Sequence, residues 1–265
     1  MENKLDTFKP LADKIKSESS GKRIIYIPNA GNYGDGLIRY ATKAFFFDYG
    51  IKHIEISTQA LAKLLIPILR VTHSPAYFIY GGGGAWHSGY RFGYETASYI
   101  SKITRNLMVL PSTYGFPVRL ENAIMYRRDN SSSYRNAPDS IFCHDMALYL
   151  AVQSSRKYKR SLFEKEICYS FRTDAESNIN RIEIPEGNID FSTLGDHMSN
   201  SDDFIRIIGS YKKIITDRLH VAVAASLCGS DVVLHEGNYP KIRDIYNDSL
   251  RDFFPRLTLE RNALK

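Results

Sequence analysis

Runs of β-branched and aromatic residues alternate along this chain with longer stretches whose apolar positions recur every three or four residues. Arg23-Ile24-Ile25-Tyr26-Ile27 predicts a strand. Leu37–Phe47, after a glycine-bearing turn, predicts an amphipathic helix. His53–Ile56 predicts a second strand and Gln59–Leu69 a second helix. Ala76–Tyr80 predicts a third strand, stopped by four glycines. A helix over Tyr94–Arg105 follows, then strands at Leu107–Leu110 and Ala123–Tyr126 and a helix over Met146–Gln153.

The pattern then restarts. Ile167–Phe171 predicts a strand and Asp202–Gly209 a helix. Lys213–Ile215 predicts a strand, Arg218–Cys228 a buried helix, Val232–Leu234 a strand and Ile242–Asp248 a helix. Thr173–Ser201 is polar, with one β-like stretch near Ile182–Ile184. Strands separated by helix-length segments argue for βαβ units and mainly parallel sheets. The simplest architecture is α/β with two Rossmann-like lobes, residues 1–160 and 161–265. Ligands in such sheets collect beyond the carboxyl ends of strands. The turns after strands, facing an interlobe cleft, are therefore where chemistry is expected.

Composition narrows the class. The 265 residues are 43% hydrophobic and 24% charged, ordinary for a globular protein. The net charge is +6 and the pI about 9.0. That excess is spread out, so it does not by itself imply nucleic acid; an acidic substrate or an anionic membrane surface accounts for it equally well. The densest run, Arg156-Lys157-Tyr158-Lys159-Arg160, reads as a solvated surface or as a lipid-headgroup contact. Cys143, Cys168 and Cys228 form no C-x-x-C pair and read as buried thiols in a reducing compartment. Met1–Lys16 has no signal-peptide core, and Leu61–Val71 is broken by Lys63, Pro67 and Arg70. The expected location is the cytoplasm, with at most peripheral contact at the inner face of the membrane.

Chemistry concentrates in four turns. Thr216-Asp217-Arg218-Leu219-His220 links a strand to a helix, so backbone N–H groups of the helix start are aimed at the turn, a geometry suited to an anion. Arg218 adds permanent charge, and His220 adds the side-chain type whose ordinary pKa lies nearest neutrality. Arg172, just past the 167–171 strand, reads as a second guanidinium for the same anion or as a surface partner of Asp174 or Glu176. In Asn29-Ala30-Gly31-Asn32-Tyr33-Gly34-Asp35-Gly36, Asp35 reads as a helix cap or as a carboxylate taking a proton from a substrate hydroxyl. In Gly81-Gly82-Gly83-Gly84-Ala85-Trp86-His87, bare backbone approaches a ligand or a neighbouring loop. Trp86 packs in the core or stacks on a sugar, and His87 is a ligand contact or a plain surface histidine. Lys241 adds a point charge to the anion or stays solvated. No histidine spacing supports a metal site, and no cofactor is expected.

These turns, in this order, resemble the polysaccharide pyruvyl transferase family, particularly its exopolysaccharide-biosynthesis members. The family's G-N-x-G-D turn is similar to Gly31-Asn32-Tyr33-Gly34-Asp35, and its glycine run to Gly81–Gly84. Leu110-Pro111-Ser112-Thr113, Arg128-Asp129-Asn130-Ser131-Ser132 and Asp145-Met146-Ala147 resemble three further family segments, with His144 where proline is usual. Phe171-Arg172-Thr173-Asp174 and the Arg218-Leu219-His220 element complete the set. The likeness runs from about residue 22 to 248, over a second lobe that is short for the family.

The resemblance implies a two-lobed fold of the GT-B glycosyltransferase type and phosphoenolpyruvate as donor. The implied product is a cyclic pyruvate ketal bridging two hydroxyls of one sugar, with release of phosphate. The acceptor would be a lipid-linked oligosaccharide, a nucleotide sugar or a polysaccharide. Arg172, Arg218 and His220 match the family's donor-site residues. Leu219 and Lys241 complete the expected donor side, and Asn32, Gly83, Gly84, Trp86 and His87 form the expected acceptor side. His220 would act as general acid and Asp35 as acceptor-side base. Two other readings compete: a nucleotide-sugar glycosyltransferase on the same fold, and a non-enzymatic glycan-binding or scaffolding protein.

Overall fold

The computed structural model describes residues 7–57, 75–87, 89–153, 158, 165–174, 177 and 184–260. Contacts group the chain into two units: Met1–Ala30 with Ile38–Val152, and Gly31–Leu37 with Gln153–Lys265. Both are mixed α/β, and every strand pair in their two sheets is parallel, as the alternation predicts. The predicted helix at 59–69 and, apart from Tyr158, the basic run at 156–160 lie outside the described residues.

The first unit holds α1 (Lys9–Glu18), β1 (Arg23–Ile27), most of α2 (Tyr33–Asp48), β2 (His53–Glu55), β3 (Ala76–Tyr80) and β4 (Gly83–Trp86). It continues through α3 (Phe92–Ile103), β5 (Leu107–Tyr114), β6 (Ala123–Arg127), α4 (Ser132–Asn136), β7 (Ile141–Phe142) and α5 (Tyr149–Val152). Its sheet runs β2-β1-β3-β5-β6-β7, with β4 alongside β5. All eight residues of β5 are buried, which is why it reads as a nearly continuous apolar run. Helix α1 buries Leu11, Ala12 and Ile15, an i, i+1, i+4 face hidden among charges. Phe8, Phe45 and Tyr149 close that side, with Tyr149 edge-on to Phe8 at 5.4 Å and to Phe45 at 5.3 Å.

Three of the quoted motifs meet inside this unit. Arg128 Nε donates to Thr113 Oγ1 at 2.8 Å, and its guanidinium pairs closely with Asp145. Asp145 also accepts the Ala147 N–H at 2.8 Å, capping the turn Met146–Leu148. Asp129 accepts from the Ser133 N–H at 2.8 Å and from its hydroxyl, while Ser133 Oγ accepts the Tyr114 N–H at 3.0 Å. These residues are buried and tie the ends of β5 and β6 to the segments that follow. A buried ion pair of this kind is strongly destabilising to break, because the survivor is left uncompensated.

The second unit holds β8 (Lys165–Ser170), α6 (Ser201–Ile208), β9 (Tyr211–Thr216), α7 (Leu219–Leu227), β10 (Asp231–His235), α8 (Lys241–Ile245), α9 (Arg251–Phe253) and β11 (Leu257–Glu260). Its sheet runs β11-β10-β9-β8. Helix α7 buries Leu219 and Val221–Ala225, as expected of a helix apolar on all sides. Asn200 caps α6 by accepting the Asp202 N–H at 3.1 Å. Between β8 and α6 the described chain has a single short turn of helix, Phe191–Leu194. Of the β-like stretch read at 182–184, only Ile184 lies among the described residues. Among the described residues no helix is long and apolar enough to cross a membrane, and no group of His, Cys, Asp or Glu is arranged to hold a metal.

Candidate active site

Strand register places the two arginines together. Ser170 at the end of β8 stands opposite Thr216 at the end of β9. Thr216 Oγ1 donates to the Ser170 carbonyl at 2.6 Å and accepts the Arg218 N–H at 2.9 Å. Asp217 accepts the Arg172 N–H at 2.7 Å. Arg172 and Arg218 therefore each lie two residues beyond a paired position, although 46 residues separate those positions in the chain.

Both guanidiniums are buried and share a carboxylate. Asp174 accepts from Arg172 Nε at 2.7 Å and from a terminal Arg172 nitrogen at 3.1 Å, and lies 3.0 Å from Arg218. Asp190 takes Arg218 in a fork, at 2.9 Å from Nε and 2.5 Å from the terminal nitrogen. It also accepts the Thr173 N–H at 3.2 Å. Asn188 holds the same return of chain by accepting the Phe171 N–H at 2.7 Å and donating to its carbonyl at 2.9 Å. The surface ion pair weighed for Arg172 is thus present, but as part of a buried four-member cluster. The sequence reading did not identify Asp190, since one aspartate in a polar stretch carries no spacing signal. Only the return of the chain along β8, where Ile189 N–H donates to the Tyr169 carbonyl at 3.0 Å, brings it in.

His220 is the second residue of α7 and is half-buried. The first N–H groups of any helix lack intrahelical partners and carry partial positive charge. Leu219, by contrast, buries its side chain in the core, so only its backbone faces this chemistry. Against His220 lies the Gly31–Asp35 turn. A Cβ on Gly34 would sit 2.9 Å from His220 Nδ1 and 3.1 Å from its Cβ, so glycine is what lets the imidazole lie there. Asn32 Oδ1 accepts the Gly34 N–H at 2.8 Å, and Asp35 accepts the Asn32 N–H at 3.1 Å. That reciprocal pair is a capping box for α2, so the capping reading of Asp35 describes what its carboxylate does here.

By sequence this turn belongs to the first half, yet its contacts are with the second. The His197 N–H donates to the Gly31 carbonyl at 3.1 Å, the Tyr33 hydroxyl to the Asn200 carbonyl at 2.6 Å, and the Tyr33 ring lies 4.5 Å from that of Phe204. Asn32 and Asp35 therefore stand with the arginine-bearing unit, not with the residues expected to bind acceptor. Lys241 opens α8 with its ammonium 4.9 Å from the Tyr239 ring.

The glycine run ends β3 at Tyr80 and brings bare backbone against neighbouring loops, the second of its two readings. A Cβ on Gly81 would meet Asn29 N at 2.7 Å and one on Gly82 would meet the Pro111 carbonyl at 2.3 Å, so these glycines serve close backbone packing. The run does not stop the sheet: Gly83, at φ 137°, and Gly84 begin β4. Trp86 is a core residue, 1% exposed, with its ring edge-on to Tyr80, Tyr94 and Tyr114. No face of it is open for sugar stacking. His87 is half-buried, bridges to Tyr90 and accepts the Gly89 N–H at Nδ1, 3.3 Å away.

The polysaccharide pyruvyl transferase family model matches residues 32–230, spanning both the Gly34–His220 contact and the arginine cluster. The chain belongs to the polysaccharide pyruvyl transferase family. Membership makes it a transferase of that kind and does not favour nucleotide-sugar transfer. The fold is similar to the crystal structure of a functionally uncharacterised protein, KP1_0663, from Klebsiella pneumoniae subsp. pneumoniae NTUH-K2044. That likeness has a TM-score of 0.74 at 25% identity and covers 96% of this chain and 98% of the other. No curated protein matches.

Proposed function

We propose that the protein transfers pyruvate from phosphoenolpyruvate onto two hydroxyls of one sugar in a polysaccharide or its precursor, forming a cyclic ketal and releasing phosphate. One observation supports this most: two buried guanidiniums sharing a carboxylate, beside a histidine at a helix N-terminus. Phosphoenolpyruvate carries a phosphate and a carboxylate on three carbons, and paired guanidiniums hold such groups through charge-assisted forks.

In the proposed reaction, protonated His220 gives its proton to the methylene carbon, which becomes the methyl group. The central carbon turns electrophilic and a sugar hydroxyl attacks it. The C–O bond to phosphate breaks, and a second hydroxyl of the same sugar closes the ketal. Of the two hydroxyl protons, one replaces that lost by His220 and one leaves with phosphate. Arg172, Arg218 and the first turn of α7 hold the donor. Asp35, one oxygen of which already serves the cap, is the proposed acceptor-side base. Asn32, Gly83, Gly84 and His87 remain proposed acceptor contacts, while Trp86 supports them from the core. A GT-B arrangement of the lobes and a cytoplasmic reaction are part of the same proposal.

The test is direct. Incubating the protein with phosphoenolpyruvate and a panel of glycans, nucleotide sugars and lipid-linked oligosaccharides should give a pyruvate-sized mass gain with equimolar phosphate. Phosphate release without sugar modification, or transfer from a UDP-sugar instead, would refute it.

A further inference from the structure

Both guanidiniums of the arginine cluster already have carboxylate partners. Arg172 and Arg218 supply two positive charges; Asp174 and Asp190 pair with them, and the buried Asp217, which accepts the Arg172 N–H, is a third carboxylate. An anion approaching the two guanidiniums finds their charge already met by carboxylates, with the partial charge of the α7 N-terminus beside them. One carboxylate must leave before a ligand can take both guanidiniums.

The two carboxylates are not equivalent. The Asp190 side chain is 5% exposed, forks onto Arg218 alone and is tied to the Thr173 backbone. That of Asp174 is 32% exposed and bridges the two arginines, both oxygens reaching Arg172 and Oδ2 also reaching Arg218. A carboxylate spanning two guanidiniums occupies the position that a ligand carboxylate or phosphate would take.

We propose that Asp174 is a built-in counter-ion that sits in the donor's anion position and sets a charge threshold for ligands. A monoanion gains no more from the arginines than Asp174 already supplies, so exchange is unfavourable. A ligand bearing a phosphate brings more charge and displaces it. Asp190 stays in place and aims Arg218. This rests on the reading of Arg172 and Arg218 as the donor site, and it adds a specificity-determining residue to that reading.

Calorimetric titration of the full chain with inorganic phosphate, pyruvate and phosphoenolpyruvate tests it. In Asp174→Asn the displaced charge is gone, and phosphate should bind about tenfold more tightly. Pyruvate, too weak to measure on the unaltered protein, should become measurable. Asp174→Ser should behave alike, which covers a folding defect peculiar to one variant. Asp190→Asn removes the same charge but loosens Arg218, and should not tighten phosphate. Unchanged or weakened phosphate binding in both Asp174 variants would overturn the proposal, as would equal tightening in Asp190→Asn. Tightening of phosphate without any turnover of phosphoenolpyruvate would uphold the counter-ion and sink the transfer reaction. Turnover without tightening would sink the counter-ion alone.

Discussion

The chain buries arginine–aspartate clusters in both units, and they do opposite things. In the first, Arg128 and Asp145 are 1% and 3% exposed; Arg128 also bonds Thr113, and Asp145 also accepts from the Ala147 backbone. That cluster is buried and joins strand ends. In the second, two arginines meet two aspartates, one of which is a third exposed. That cluster sits beside a histidine, at a helix start. Motif residues alone do not separate the two cases, since Arg128 and Asp145, like Arg172, Asp174 and Arg218, lie in segments that resemble the family's. What separates them is whether a counter-ion can be exchanged.

The sharpest way to break this contrast is His220→Ala. Removing a positioned general acid should slow ketal formation by about 10²–10⁴-fold, while thermal unfolding stays close to that of the unaltered protein. Near-normal turnover would remove the imidazole from the chemistry. The mirror experiment is Asp145→Ala, which should lower unfolding free energy by about 3–5 kcal/mol. Donor affinity of the folded fraction should be unchanged, and a selective loss of donor binding would erase the distinction between the clusters. Gly34→Ala should cut turnover by about 10²-fold through displacement of His220, with little change in stability. Full activity would mean that the imidazole adjusts without cost.

The smallest expected effect is alkaline. Burial pushes the Cys143 thiol up to about 12, with nearby Asp145 adding to the shift, and pushes Cys228 up to about 11, from an ordinary 9.0. The folded-state values are raised, so this stability is fully present below about pH 9 and is lost as pH rises through 11. Denaturant midpoints should be flat from about pH 7 to 8.5 and fall above about 9. A midpoint that rises there would contradict the buried thiols.

Much of the fold was legible because the strand–helix alternation is strong, and Arg172, Arg218 and His220 were legible because each follows a strand end. The rest was hidden for particular reasons. The four glycines stop β3, yet Gly83 already pairs with β5 and opens a further short strand, β4. Leu257-Thr258-Leu259-Glu260 has a period-two pattern but is short and near the end of the chain, and its strand went unread. Trp86 carries no mark that tells a packed indole from a stacking one; the three tyrosine rings around it decide. Asp35 and Asn32 were assigned by position along the chain, whereas contacts with residues 196–204 place them in the other unit. Asp190 needed the three-dimensional return of the chain.

The pairing of Ser170 with Thr216 has an evolutionary corollary. A backbone ladder, rather than the length of the connecting chain, sets the spacing of the two guanidiniums. The anchor at Asn188–Asp190 and the contacts of residues 196–204 with the Gly31–Asp35 turn have to keep their footing. A relative that remodels the surface between those anchors for a new sugar keeps the proposed donor grip unchanged.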